Sequence, residues 1–477
     1  MSGLSMRTGQ IAVALFLPLA GWVAWEYTAV DGPHAVVLLM ALVLWLAVFT
    51  MATVGIGAPV WRWASGEGIE RLDGWLVSAA FGAAALMAIA GVLGLLGLLH
   101  EITLLVVMGA AAVAGGLELQ RSGRALHWAG LPVAPGIVLA LGGLLTLLAV
   151  ATPSPFYDQV HYHLAFPERW LQLGGIEVFP RHAYSYIPAN MGLLYIYALA
   201  GPGVWAAQAL HWWMGLLAVV SAFVMARQIG GNSRAGAWAA AALVATPSLL
   251  LTSTWAASDL GVAAFGGAAC VMALDPVAGD RKRGPVWYML CGALCGVAFG
   301  CKYLALATVA VPVGMIIAGG AMLVAARANR FRPAFPILVS WGLGLALTVF
   351  PWALRNLILT RNPVYPFYGE KFASWLGSPA MAQAGDAAQR IAPAETASAL
   401  TAALSLRTFD PLGAAGMIGP LWLMLIPLWL GLMLFSKRNK AALLLAAAVL
   451  TGIIFWSHFR QLGRYLLPVL VPAAAGV

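Results

Sequence analysis

The stretch "TPSPFYDQVHYHLAFPERWLQLGGIEVFPRHAYSYIPAN", residues 152–190, sets Asp158, three histidines (His161, His163, His182) and four tyrosines into a chain that is only 9% charged. On a helix running from 158 to 172, Asp158, His161 and Tyr162 occupy positions i, i+3 and i+4 and share one face. A carboxylate, an imidazole and a phenol would then converge, a set suited to proton transfer. The plainer reading is that Asp158 caps this helix. His161 and His163 are two residues apart and fall on different faces, which argues against a paired metal site on one helix. Asp158 with His161 is the pair that would offer a divalent metal two ligands. Glu168, Arg169 and Trp170 read as an amphipathic helix in the membrane interface. Arg181, His182, Tyr184 and Tyr186 follow between two prolines, on irregular backbone that a membrane tolerates only beside a wet cavity or packed protein.

Other ionisable residues interrupt apolar runs. Asp259 opens a span after "TSTWAAS", and Lys302 separates "VWYMLCGALCGVAFGC" from "YLALATVAVPVGM". A charge near the bilayer centre costs about 2.5–3.5 kcal/mol, less near the ends, so such residues are functional candidates by default. The plain alternatives are a helix cap shared with Ser258 for Asp259 and a snorkelling turn residue for Lys302. Arg355, Arg460 and Arg464 stand at span ends where the positive-inside rule expects few basic residues. An anion would explain them: Lys302 offers a phosphate a point charge and arginine a planar fork. Tyr162, His163 and Tyr365 are expected among the substrate-binding residues. Tyr365, Phe367, Tyr368, Phe372 and Trp375 serve either as an interfacial belt or as stacking platforms for sugar rings.

These residues need elements to hold them, and composition says which. Of 477 residues, 62% are hydrophobic and the mean hydropathy is +0.88, well above the roughly 45–50% apolar share of soluble domains. Strands of a membrane barrel would alternate apolar and polar residues, and no such alternation is present. The expected fold is therefore an all-α polytopic membrane protein. Apolar runs at 9–27, 34–56, 75–98, 102–117, 130–151, 204–227, 235–252, 259–275, 285–300, 304–326, 334–354, 415–435 and 441–457 predict 13 spans. A last run from 465 is too short to cross; it is either a half-helix or part of a span the chain does not complete. "MGLLYIYALAG" is also too short and predicts a half-helix.

Alternate connections divide by charge. One side receives "WRWASGEGIERLDGW", "LELQRSGRALH", "RQIGGNSR", "DPVAGDRKRGP", "RANRFRP" and "SKRNK"; the other receives the stretch around Asp158 and a long segment, 355–414. The positive-inside rule puts the first set, and the N-terminus, in the cytoplasm. Two large loops on the opposite face predict one site between them. The net charge of +9 is scattered over short connections rather than gathered on one face, which excludes a nucleic-acid surface. Cys270, Cys291, Cys295 and Cys301 fall in or beside spans, with neither zinc nor disulfide spacing.

The segments "YDQVHYHLAFPERWLQLGGIEVFP", "IPANMGLLYIYAL", "ASDLGVAAF", "GVAFGCKYLAL", "FPWALRNLILTRNPVYPF" and "GRYLLPVLVP" occur in an order that resembles the polyprenyl-phosphate-sugar-dependent glycosyltransferases of the GT-C superfamily. The group containing protein O-mannosyltransferases and the aminoarabinose transferases that modify lipid A is the most similar. The resemblance covers about 135 to 472 and implies a GT-C-like fold of 13–14 transmembrane helices. Residues 1–130 would be additional N-terminal helices, 131–354 a core with its catalytic loop at 152–203, 355–414 a lid and 415–477 the C-terminal helices. It also implies inverting transfer of a sugar from a lipid-monophosphate carrier to a lipid, glycan or protein acceptor, at the extracytoplasmic face of a bacterial plasma membrane. Asp158 matches the catalytic acid of the first loop and Asp259 a second acidic position; Lys302 and Arg355 match basic positions near the carrier phosphate. Many relatives carry a second acid where this chain has Gln159, which leaves metal use open: no cofactor is implied with certainty and a divalent metal remains an alternative. By chemistry alone, Asp158 would be the base, and Lys302 with Arg355 or Arg464 would stabilise the leaving phosphate.

Two other functions fit a polytopic chain. A secondary transporter should concentrate its charges at the midplane, on broken helices related by an internal repeat; here they cluster on one face without a repeat. A polysaccharide polymerase or O-antigen-ligase-like enzyme would consume diphosphate-linked glycans and depend less on Asp158.

Overall fold

The computed structural model describes residues 32–122, 131–154, 156–180, 182–279, 281–327, 334–376, 418–435, 439–458 and 462–476. These are helices joined by turns, with no strand among the described residues. Nine of the helices are long and apolar enough to cross a membrane, which makes the chain an integral membrane protein. The expected spans at 9–27 and most of the expected lid at 377–417 lie outside the described residues, as do Arg181 and Arg460.

Several expected spans take a different form. The run 235–252 is two helices, Ser233–Val244 and Pro247–Thr252, because Pro247 lacks an N–H and holds Thr246 extended. The run from 304 begins as a π-turn, Leu306–Ala310, before the helix Val311–Arg327. Pro285–Cys301 and Pro420–Phe435 have 17 and 16 residues, short of the about 20 a perpendicular crossing needs.

Asp259–Ala278 lies at the centre, with 89% of its apolar window buried, while Ala334–Thr360 lies at the rim with 11% buried. That contrast explains sequences that are apolar on every side in both cases: one faces protein, the other lipid. Asp259–Ala278 and Pro285–Cys301 run antiparallel and carry an ion pair at each end. Arg283 Nε donates to Asp275 Oδ2 at 2.8 Å at one end, and Lys302 Nζ to Asp259 Oδ1 at 2.7 Å at the other. Pro285–Cys301 crosses Ala334–Thr360 through glycine contacts: a Cβ on Gly344 would lie 1.8 Å from the Met289 carbonyl, and one on Gly292 would lie 1.9 Å from that of Trp341. Small residues let the two backbones meet where lipid supplies no hydrophobic drive.

The helices Gly32–Ser65, Leu72–Leu95 and Glu101–Ser122 pack on this core. Trp213 Nε1 donates to Thr50 Oγ1 at 2.9 Å and Tyr197 Oη to the Leu86 carbonyl at 3.0 Å. Arg283 donates to the Ser65 carbonyl at 3.0 Å. Two short helices also sit inside. Asn190–Leu199 is buried along nearly its whole length, and Gly463–Ala474 packs between Val204–Gln228, Asp259–Ala278 and Lys440–His458.

Candidate functional site

The loop after Val133–Val150 folds around one irregularity. Tyr157 and Asp158 begin a helix that widens into a π-turn, Gln159–His163, where the Leu164 N–H bonds to the Gln159 carbonyl at 3.0 Å. The i→i+5 spacing of a π-turn inserts one residue into the helical register, so the face expected to hold Asp158, His161 and Tyr162 instead presents Asp158, Tyr162 and His163 to a cavity. His161 is turned outward. It stacks on Tyr157 with ring centroids 4.6 Å apart, and its Nε2 lies 2.8 Å from that of His182. Asp158 and His161 thus have different partners, and among the described residues no three metal-ligating side chains come together. Asp158 does not cap the helix either.

Gln159, the position where a second acid was expected, points into the core at 2% exposure. Its Oε1 accepts from the Ala256 N–H at 2.7 Å. An acid there would face packed protein rather than the cavity. The loop ends in the helix Ala165–Leu173, stopped by Gly174 in the left-handed conformation, φ 71, a position that favours glycine. Trp170 Nε1 donates to the Glu177 carbonyl at 2.8 Å and pins the chain beyond it.

Four charged residues from four distant segments form one chain. Arg464, brought in by the last helix, donates from Nη2 to Asp158 Oδ2 at 3.0 Å, and its Nε lies 3.9 Å from Asp259 Oδ2. Lys302 bonds the other oxygen of Asp259. Lys302 and Arg464 both lie over the Tyr465 ring, 4.1 and 5.5 Å from its centroid, within cation–π range. Asp259 is 3% exposed and does not line the cavity; it acts beneath Lys302 and Arg464. Arg464 is 8% exposed, yet its Nε and Nη1 make no hydrogen bond among the described residues. A buried guanidinium with two idle donors is costly unless an anion completes it.

The cavity beside this chain has a volume of about 410 Å³ and is lined by Asp158, Lys302 and Arg464 together with Tyr162, His163, Phe166, Trp170 and Tyr184. Tyr162 and Tyr184 stack face to face, centroids 4.6 Å apart and planes 4° apart. Leu304, Leu306, Val364, Phe367 and Tyr368 extend it as an apolar flank. The turn carrying the last three is held by Asn362, whose Nδ2 donates to the Phe367 carbonyl at 2.8 Å and whose Oδ1 accepts from the Val364 N–H at 3.0 Å. Arg361 and Tyr368 flank it at φ 55 and 54, left-handed conformations that cost non-glycine residues about 1–2 kcal/mol each.

Two expected site residues lie elsewhere. Arg355 donates to the carbonyls of Ser185 at 2.7 Å and Tyr186 at 3.3 Å, so it ties the Ala183–Tyr186 turn to Ala334–Thr360 and does not line the cavity. Tyr365 is 3% exposed; it packs on Tyr186, and its carbonyl accepts from Tyr303 Oη at 2.9 Å. Trp352 and Asn356, neighbours of Arg355 on one helix face, reach Asn190 and Tyr303. One helix end thereby holds three segments of the cavity wall.

His211 is a residue the sequence did not single out. It is fully buried in Val204–Gln228, with Nδ1 3.1 Å from the Thr252 carbonyl and Nε2 accepting from the Leu260 N–H at 3.1 Å. It caps the helix that starts at Asp259 from a neighbouring helix, a task for which Ser258 makes no side-chain bond. A histidine within an apolar span carries no local signal of that partner.

Environment fixes the protonation of the loop residues. Burial, then the charge of Lys302, holds His163 well below the ordinary imidazole range, and burial, then Asp158, pushes the Tyr162 phenol well up. Burial and then His161 lower His182. His163 and Tyr162 therefore meet the cavity as neutral donor–acceptor groups.

No protein-family model and no curated protein matches the chain. Among solved structures it is similar to the archaeal oligosaccharyltransferase AglB from Archaeoglobus fulgidus, determined in complex with an inhibitory peptide and a dolichol-phosphate. The identity is 12%, the TM-score 0.41, and the match covers 72% of this chain and 50% of that one. The chain thus spans about half the length of that protein, and a likeness of this degree assigns no residue a role.

Proposed function

We propose that the protein is an inverting membrane glycosyltransferase that moves a sugar from a polyprenyl-phosphate carrier to a hydroxyl or amine acceptor at the extracytoplasmic face. The observation that carries this reading is Arg464: a buried cation with two donors unbonded among the described residues, in contact with the Asp158 carboxylate, on the lining of a cavity with an apolar flank. A phosphate bearing a lipid chain suits both features.

In the proposed step Asp158 takes the proton of the acceptor O–H or N–H as its oxygen or nitrogen bonds to the anomeric carbon. The bond from that carbon to the phosphate oxygen breaks, and the electron pair leaves with the polyprenyl phosphate. Lys302 and Arg464 stabilise the charge that develops there. Asp259 holds both cations in place from below. The turn from Val364 to Tyr368, on the apolar flank of the cavity, supports a role for the long loop as a lid over the lipid. Arg62, Arg227, Arg281 and Arg283 stand at the helix ends remote from the cavity, and the positive-inside rule supports a cytoplasmic position for those ends.

The test is transfer by the purified protein from polyprenyl-phosphate-linked sugars to lipid, glycan and peptide acceptors. Wild type should transfer, and Asp158→Asn should lose about a hundredfold or more while keeping its elution profile and melting temperature. Wild-type rates in Asp158→Asn would overturn the mechanism.

A further inference from the structure

The chain runs without helix from 253 to 258 into Asp259, and on the way Ala256 and Ala257 are fully buried. Buried peptide groups outside a helix need partners from elsewhere, and side chains of three other segments supply them. Gln159 Oε1 accepts from the Ala256 N–H at 2.7 Å, Gln208 Nε2 donates to the Thr254 carbonyl at 2.9 Å, and Tyr195 Oη donates to the Ala257 carbonyl. Gln208 Nε2 also reaches the carbonyls of Thr152 at 3.1 Å and Val150 at 3.3 Å, where the chain leaves Val133–Val150 on its way to Asp158. The two amides meet, Gln159 Nε2 lying 3.5 Å from Gln208 Oε1. Both are buried, at 2% and 1% exposure, and backbone partners dictate how each is turned. The Ala256 N–H requires an oxygen from Gln159 and the carbonyls require an N–H from Gln208, so Gln159 must offer its own N–H to Gln208 Oε1.

We infer that Gln159 and Gln208 are positioning residues, an amide clasp that sets Asp158 against Asp259 so that one guanidinium reaches both carboxylates. Gln159 directly follows Asp158, and its partner Ala256 lies three residues before Asp259. A second contact joins the same two segments: Phe156 stacks on Trp255 with centroids 4.0 Å apart and planes 9° apart, and Arg464 lies 4.9 Å above the Phe156 ring. From there Arg464 meets Asp158 at 3.0 Å and Asp259 at 3.9 Å. Neither glutamine lines the cavity, so both act through the aspartates. A carboxylate at 159 would still accept from Ala256 but would set oxygen against oxygen at Gln208, which cannot turn round without facing its oxygen to the three carbonyls. The effect on turnover rests on the transferase reading; the clasp itself rests on these contacts.

Purified wild type, Gln159→Glu, Gln159→Glu/Gln208→Lys, Arg464→Lys and Gln159→Glu/Arg464→Lys are compared by detergent-phase melting and by donor-saturation kinetics with polyprenyl-phosphate-linked sugars. Gln159→Glu should melt at a lower temperature and lose about tenfold or more in kcat per folded molecule, the cost of misplaced reacting groups, while KM for the donor stays within about threefold. Wild-type kcat in Gln159→Glu overturns the positioning role, as does a loss confined to KM or to the melting temperature. Adding Gln208→Lys turns a donor toward the new carboxylate and toward the carbonyls at once, and should restore the melting temperature and most of kcat; a double variant no better than Gln159→Glu overturns the clasp. Gln159→Glu/Arg464→Lys should be within about threefold of its slower parent, because both changes break one geometry, and losses that multiply would overturn the coupling to Arg464. Transfer by wild type with multiplied losses leaves the transferase reading intact and removes the positioning role. Melting temperatures in the expected order with no transfer by wild type do the reverse, leaving the clasp and removing the transferase reading.

Discussion

Arg464 and Asp158, 306 positions apart in the chain, meet at 3.0 Å. The contact joins the last described helix to the first loop beyond Val133–Val150, so the carboxylate assigned to proton transfer is oriented by an element from the other end of the chain. Arg464 also reaches toward Asp259, and a rigid planar fork fixes the directions of its contacts with two carboxylates in a way that the flexible point charge of a lysine does not.

Arg464→Lys should therefore keep the charge and lose the geometry. Transfer should fall by about ten- to a hundredfold in kcat/KM, about 1.4–2.7 kcal/mol of transition-state stabilisation, with the melting temperature little changed. Donor-saturation kinetics check this. A lysine variant with wild-type kcat/KM would mean that charge alone suffices at this position.

Lys302 and Asp259 should behave as a coupled pair in stability. Lys302→Met leaves Asp259 buried with Arg464 at 3.9 Å as its remaining cation, a loss of about 3 kcal/mol, at the low end for buried pairs because Lys302 stays partly exposed. The double variant Lys302→Met/Asp259→Leu should recover most of that loss without recovering transfer. Detergent-phase melting of the four proteins in the cycle gives the coupling, and additive losses would show that the pair does not act as one unit.

The sequence made some of this legible for a physical reason. Charges are expensive in apolar spans, so Asp158, Asp259, Lys302 and Arg464 stood out, and the structure brings them into one chain. Helix boundaries were legible because apolar runs end at charges, as at Lys440 and Arg227. What the sequence could not show depends on register and on distant partners. One residue of π-turn carried His161 off the face it was expected to share with Asp158 and Tyr162. Arg355 looked like a phosphate ligand because it shares chemistry with Arg464, but its carbonyl partners at Ser185 and Tyr186 lie about 170 positions away. The central place of Gly463–Ala474 follows from packing on three helices, which no local pattern reports.

Arg355→Ala should act through the cavity's shape. It leaves the Ser185 and Tyr186 carbonyls without these bonds, for a loss of about 1–3 kcal/mol. Because Ser185 neighbours Tyr184 on the aromatic wall, KM for the donor should rise several-fold while kcat changes less. Arg355→Lys, which can still donate to one carbonyl, should fall between. An Arg355→Ala enzyme with unchanged KM and lost kcat would instead place Arg355 at the reacting phosphate.

His163 gives the pH dependence a sign. Its folded pKa lies below the ordinary value because burial and Lys302 oppose the imidazolium, whereas the unfolded chain should titrate near about 6.5. Above that pH both states are neutral and the residue adds no slope. As pH falls through about 6.5 the unfolded state takes up a proton that the folded state resists, so stability is lost progressively until the folded pKa is passed. His163→Gln removes the titrating group and keeps a neutral amide on the wall. The melting-temperature difference between wild type and His163→Gln should be flat above about pH 7 and should then move steadily against the wild type as the medium is acidified. A difference that stays constant across that range would mean that His163 becomes charged in the folded protein as readily as in the unfolded chain, and that neither burial nor Lys302 opposes its imidazolium.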